Sequence, residues 1–142
     1  MNEKSKSKIE KSNNSPNHDN QNSRIFDLEN RTFEFARRIN FYVNNLPKTM
    51  SNLENGKQLI KSGGSVGANY LEANESLSKK DFQMRIKISK KESKESRYWL
   101  KLTEPRDNQI DEKNELIQES TELMKIFASI LEKVNKRKNK RY

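Results

Sequence analysis

Residues 78–102 read SKKDFQMRIKISKKESKESRYWLKL. The stretch decides the fold, because only a helical period sorts it into separate faces. Advancing about 100° per residue from Phe82, the side chains of Phe82, Ile86, Ser89, Ser93, Ser96 and Leu100 fall within about 40° of one line. This is the core face, and its centre is serine, so a neighbouring helix can approach closely. Lys79, Lys87, Lys90, Lys94, Arg97 and Lys101 fall between about 60° and 140° on one flank, with Lys80, Lys91 and Tyr98 behind them. Met84, Ile88, Trp99 and Leu102 fall on the other flank, with Glu92 and Glu95 among them. Ser78 followed by Asp81 resembles a capping box at the start of this helix, and Pro105 lies beyond its end.

The same period extends on both sides. Leu28, Phe35, Ile39, Tyr42 and Leu46 predict a first helix from Asp27, as N-cap, to Leu46, closed by Pro47. Leu53, Gly56, Leu59/Ile60, Gly63, Val66/Gly67 and Tyr70 predict a second over residues 52–74, capped by Thr49 or Ser51. All four glycines of the chain, Gly56, Gly63, Gly64 and Gly67, lie in it. A break at Gly63-Gly64 is one reading. The unbroken period favours a continuous helix whose small residues face Ser89 and Ser93. Ile117, Met124, Phe127, Leu131 and Val134 predict a fourth helix over residues 111–134. No segment alternates with the period of a strand. Four helices with short links predict an all-α, antiparallel up-down four-helix bundle over residues 25–134. A polar leader, residues 1–24, precedes it and is expected to be disordered. A basic tail, residues 135–142, follows.

The chain has 142 residues, a net charge of +9 and no cysteine. Disulfides, thiolate metal sites and cysteine nucleophiles are therefore excluded. The one histidine, His18, lies in the leader, so no His-based triad or zinc site is expected in the bundle. No GxxxxGK[ST] or GxGxxG occurs, and no strand precedes Gly63–Gly67 to make it a phosphate loop. Glu72 with Glu75 reads as ordinary helix surface. The expectation is a protein with no catalytic residues, no cofactor and no metal. No apolar run is long enough to span a bilayer and no secretory leader is legible, which predicts a cytoplasmic protein.

Residues 79–101 hold nine Lys/Arg against three Asp/Glu. One reading of Lys87, Lys90, Lys94, Arg97 and Lys101 is a phosphate-binding surface, joined by Lys136, Arg137, Lys138, Lys140 and Arg141 of the tail. The other is a solvated face, or one neutralised by acids of the fourth helix. Met84, Ile88, Trp99 and Leu102 read as a self-association surface, since Trp and Met are enriched at interfaces. A wide core or the leader covering them is the alternative. Ser65, Asn69 and Glu72, at i, i+4 and i+7, share one side of the second helix and are expected to serve structure.

Residues 62–73, SGGSVGANYLEA, carry a resemblance. Ser65, Val66, Asn69 and Glu72 match the S-[IV]-x-x-N-[IL]-x-E signature of the 23S rRNA intervening-sequence protein family, also called four-helix bundle proteins. Tyr70 stands where that signature has an aliphatic residue. Leu46-Pro47, Lys80-Asp81-Phe82, Glu95–Leu102 and Glu115–Leu131 resemble the family's later landmarks, in order, over about residues 26–134. Glu92 and Ala73 stand where the family commonly has glycine. The resemblance implies a ring-like homo-oligomer, a pentamer, encoded in or near rRNA gene insertions. The accessory proteins of diversity-generating retroelements look similar, and they are basic rings that bind nucleic acid and a reverse transcriptase. The expected partners are thus further copies of the chain and nucleic acid, with RNA favoured. A protein partner is the alternative.

Overall fold

The computed structural model describes the backbone of residues 19–139 and the side chains of residues 27–137. Residues 1–18, with His18, and residues 140–142, with Lys140 and Arg141, lie outside the described residues. Four helices follow in order: α1 (Asp19–Asn44), α2 (Met50–Asn74), α3 (Lys79–Leu102) and, after a 3₁₀ turn at Asp107–Gln109, α4 (Ile110–Asn139). Each packs against its neighbours in sequence, and α4 closes the ring against α1. The result is the antiparallel up-down bundle.

The helices reach further out than the periodicity alone marks. α1 starts at Asp19, which places Asp27 inside the helix rather than at its cap and makes residues 19–24 of the expected leader helical. No Gly or Pro interrupts the chain between Asp19 and Asn44, so nothing stops the helix sooner. α4 likewise runs to Asn139, taking in residues 135–139 of the expected tail. Lysine and arginine are good helix formers, and no apolar partner is needed to extend an existing helix by one turn.

The core line of α1 is the expected one, with Leu28, Phe35, Ile39, Tyr42 and Leu46 buried. On α3, Ile86, Ser89, Ser93, Ser96 and Leu100 are buried and Phe82 is half-buried. α2 is continuous through its glycines. Its inward line is Asn52, Gly56, Leu59, Val66 and Tyr70, so Leu53 and Ile60 point outward. On α4 the buried line is Leu116, Ser120, Leu123 and Phe127, while Ile117, Met124, Leu131 and Val134 are only half-buried.

The small residues of α2 are divided between two neighbours. Gly56, Gly63 and Gly67 face α1, not α3 as the pattern suggests, and Gly64 faces open space. A Cβ on Gly63 would stand 2.7 Å from Ile39 Cδ1, and one on Gly67 would stand 2.9 Å from Thr32 Oγ1. α3 instead sits on the side of Ser62 and Val66. Ser89 Oγ donates to Val66 O at 2.9 Å, and Ser96 Oγ lies 3.0 Å from Ser62 Oγ. These hydroxyls are buried, and their bonds remove most of the cost of burying them.

At the end of the bundle that holds both the α1–α2 and α3–α4 links, Asn52 is buried and fully used. Its Nδ2 donates to Pro47 O and Glu104 O, both at 2.9 Å, and its Oδ1 accepts from Glu104 N at 2.9 Å. Nearby, Tyr42 and Thr103 share a buried hydroxyl–hydroxyl bond of 2.7 Å. Thr49 and Ser78 cap α2 and α3, accepting from Asn52 N and Asp81 N.

Candidate nucleic-acid interface

The α3 flank that carries the lysines borders α4. Arg97 Nη1 donates to Thr121 Oγ1 at 3.2 Å, and Gln83 Nε2 donates to Asn135 Oδ1 at 3.3 Å. These two bonds fix the antiparallel register and bring the end of α4 beside the beginning of α3. Lys136 and Arg137, both exposed, thus stand at the Lys79–Lys87 end of the lysine row. Lys138 belongs to α4 by its backbone, but its side chain lies outside the described ones. Lys87, Lys90, Lys94 and Lys101 are exposed, and Arg97 is half-buried.

Four of the six acids of α4 turn to α1 rather than to this row. Arg31 of α1 binds Glu119 through Nε (2.9 Å) and reaches Glu122 (2.6 Å). Arg38 of α1 reaches Glu112 (3.1 Å) and Glu115 (3.0 Å). The hydrogen bonds to Glu119 and Glu112 hold the two guanidiniums above their ordinary pKa. On the helical wheel these four acids share the flank of α4 that faces α1, and the flank facing α3 carries Ile117, Thr121, Met124, Ala128 and Asn135. Among the described residues, Lys87, Lys90, Lys94, Arg97 and Lys101 form no ion pair within 4.0 Å. One lysine of α4, Lys113, caps α3 itself, donating to Thr103 O at 2.9 Å, where a cation complements the helix dipole.

The other flank of α3 borders α2. Met84 and Leu102 are 48% and 43% exposed, while Ile88 and Trp99 are half-buried. Trp99 packs partly on the core and meets Tyr98 edge-on at 5.0 Å. Glu92 lines the groove beside Trp99, and burial, reinforced by Glu95, raises its pKa from the ordinary value. The sequence pattern does not single out a second apolar surface. Phe33 of α1 and Leu53, Ile60 and Leu71 of α2 are exposed on the outer side of the α1–α2 pair. Leu53, Ile60 and Leu71 each follow a buried residue, so they blur into the core stripe when read from sequence.

Ser65, Asn69 and Glu72 have separate surroundings. Ser65 Oγ donates to Lys61 O, and Asn69 Nδ2 donates to Ser65 O, both within α2. Asn69 Oδ1 accepts from Arg85 Nη1 of α3 at 3.2 Å, a partner that helical spacing does not reveal. Arg85 Nε is buried with no partner among the described residues. Glu72 is exposed. No group of three or more His, Cys, Asp or Glu among the described residues is placed to hold a metal ion. No described helix is long and apolar enough to cross a membrane.

Fold and surface together define a class: antiparallel four-helix bundles with a lysine-rich face on the third helix. Residues 26–129 match the 23S rRNA-intervening sequence protein family, and the chain belongs to that family. A crystal structure from Bacteroides thetaiotaomicron, of a protein of unknown function from the S23 ribosomal protein family, is similar. It shares 30% identity at a TM-score of 0.65, over 76% of this chain and 97% of that one. No curated protein matches the chain.

Proposed function

We propose that this chain is a non-enzymatic, cytoplasmic homo-oligomer, a ring-like pentamer, that binds nucleic acid, with RNA favoured, through the α3 face and the end of α4. The observation that carries the reading is the allocation of charge. Four of the six acids of α4 pair with arginines of α1, and Lys87, Lys90, Lys94, Arg97 and Lys101 make no ion pair among the described residues, which leaves them for an outside polyanion. Lys136 and Arg137 stand beside this row, and Lys138, Lys140 and Arg141 follow them in sequence. The family's name ties its members to 23S rRNA insertions, which supports RNA. Assembly would proceed through the Met84, Ile88, Trp99 and Leu102 flank, and a ring would repeat the basic face and add avidity.

Binding of a structured RNA and of a single strand, measured across salt concentrations, tests this. Lys90→Glu/Lys94→Glu is expected to weaken both and to reduce the salt slope by about 0.7–0.9 for each phosphate no longer neutralised. Trp99→Asp is expected to dissociate the oligomer in sedimentation with helicity kept. A wild-type protein that binds no nucleic acid at low salt overturns the first claim, and one that sediments as a monomer at micromolar concentration overturns the second. A second reading, an accessory oligomer for a protein partner such as a reverse transcriptase, is favoured by the exposed Phe33, Leu53, Ile60 and Leu71. Co-purification that survives Lys90→Glu/Lys94→Glu but not Leu53→Asp would decide for it.

A further inference from the structure

We infer that the cleft between the end of α1 and the start of α4 receives an unpaired nucleobase stacked on Phe41. The site deepens the nucleic-acid reading and rests on it for the source of the base, but it uses none of the α3 lysines.

Phe41 lies on the side of α1 away from the core line and is 70% exposed, so packing of the bundle does not explain an aromatic ring there. The ring forms one wall of a cleft of about 730 Å³, whose other walls include Arg37, Asn45, Arg106, Asn108 and Gln109. That volume suits one nucleotide-sized ligand. The polar groups around it are incompletely used. Arg106 engages only its Nε, with Asn45 O at 3.3 Å, among the described residues. Arg37 is held by Glu34 through Nε and Nη2, which leaves Nη1. Asn45 Nδ2 donates to Phe41 O, which leaves Oδ1 as an acceptor. The Asn108 carboxamide makes no hydrogen bond among the described residues. Gln109 is spent on Arg106 N and Tyr42 O, and the Glu112 carboxylate that also lines the cleft is paired with Arg38. The cleft therefore offers an aromatic face, the carboxamides of Asn45 and Asn108 at its edge, and the guanidiniums of Arg37 and Arg106 at its rim.

Those are the features that recognise a splayed base: a flat ring to stack, a mixed donor–acceptor edge, and cations for the attached phosphate. A partner helix fits less well, because it needs a continuous apolar stripe. The nearest other exposed ring on α1, Phe33, stands on the far side of Arg37, about 80° round the helix from Phe41.

The test compares a hairpin RNA whose loop carries unpaired adenines with a fully paired duplex of the same stem, by fluorescence anisotropy at fixed salt. Phe41→Ala is expected to weaken loop binding about tenfold and duplex binding less than twofold, while Phe41→Trp keeps the loop affinity. Arg106→Gln is expected to lower loop affinity severalfold. Lys90→Glu/Lys94→Glu should weaken both RNAs, which separates the two sites. Equal loss on both RNAs with Phe41→Ala, or no loss, overturns the cleft and leaves the basic-face reading standing. If wild type binds neither RNA, adenosine monophosphate is titrated and the Phe41 ring signals are followed by NMR. A shift then supports the cleft without the lysine face, and no shift ends it. A change in sedimentation with Phe41→Ala, at unchanged helicity, overturns the proposal in favour of a protein interface.

Discussion

The α2–α3 and α1–α4 seams are built from opposite materials. α2 and α3 pack closely, with Ser89 and Ser96 bonding through their hydroxyls to Val66 O and Ser62 Oγ, and Arg85 reaching Asn69 at the side. α1 and α4 lie further apart along most of their length, and the gap is spanned by Arg31 and Arg38 reaching the carboxylates of α4. The difference shows how packing governs charge at the surface. A seam wide enough for arginine consumes the acids of α4 on the α1 side. Among the described residues, Lys87, Lys90, Lys94 and Lys101 of α3 are then left facing solvent with no ion pair.

The largest effect is expected from breaking the close seam. Ser93 is fully buried, so Ser93→Leu forces added volume into the packed core, and should cost about 1–3 kcal/mol in thermal or urea unfolding. A loss below about 0.5 kcal/mol would mean that the seam opens easily. A middle-sized effect separates α2's two glycine environments. Gly67→Ala gains about 1 kcal/mol of helix propensity but drives a Cβ against Thr32, which is buried and β-branched, so the net result should be a loss of about 1 kcal/mol. Gly64→Ala meets no atom within 4 Å and should stabilise by up to about 1 kcal/mol. Melting shifts of the same sign for both would refute the tight α1–α2 approach.

The smallest effects are electrostatic, and they have opposite signs at the two seams. A hydrogen bond from Gln118, then one from Arg31, holds Glu122 below the ordinary carboxylate pKa. Its ionised form therefore stabilises the fold above that range, and the contribution is lost as pH falls. Glu92 is raised by burial, then by Glu95, so the folded state binds its proton more tightly than the unfolded state does. Its contribution to stability is lost as pH rises through that window. At neutral pH, Glu122→Gln should lower and Glu92→Gln should raise the melting temperature. Both differences should vanish in acid, where both carboxylates are protonated. Shifts of one sign at pH 7 would contradict the contrast.

Much of this is legible in the sequence. The core line of α1 and the three faces of α3 follow from helical period alone, because their apolar and small residues leave one inward direction. On α4 the period is ambiguous. Leu116 and Leu123 are buried, while Ile117, Met124 and Leu131 lie beside them with equal apolar character, and only the shape of the partner chooses between the lines. The neighbour of the glycines is not legible for a different reason. Gly63 and Ser62 lie on adjacent flanks of α2, and which flank meets α1 depends on whether the bundle turns left or right. Periodicity carries no handedness. The same gap hides the destination of the α4 acids, so the lysine row is readable but its freedom from carboxylates is not. Phe41 falls outside every stripe, although an aromatic ring off the core line is itself a signal.

The Asn52 carboxamide acts as a coincidence detector for folding. It bonds to Pro47 O in the link between α1 and α2, and to both Glu104 N and Glu104 O in the link after α3. Neither helical hairpin can satisfy it alone: with only one closed the amide is left to water, and its bonds to the second link, about 0.5–1.5 kcal/mol each, form only when the hairpins dock. Half-assembled states forgo those bonds, and a single side chain links the two hairpins into one cooperative unit.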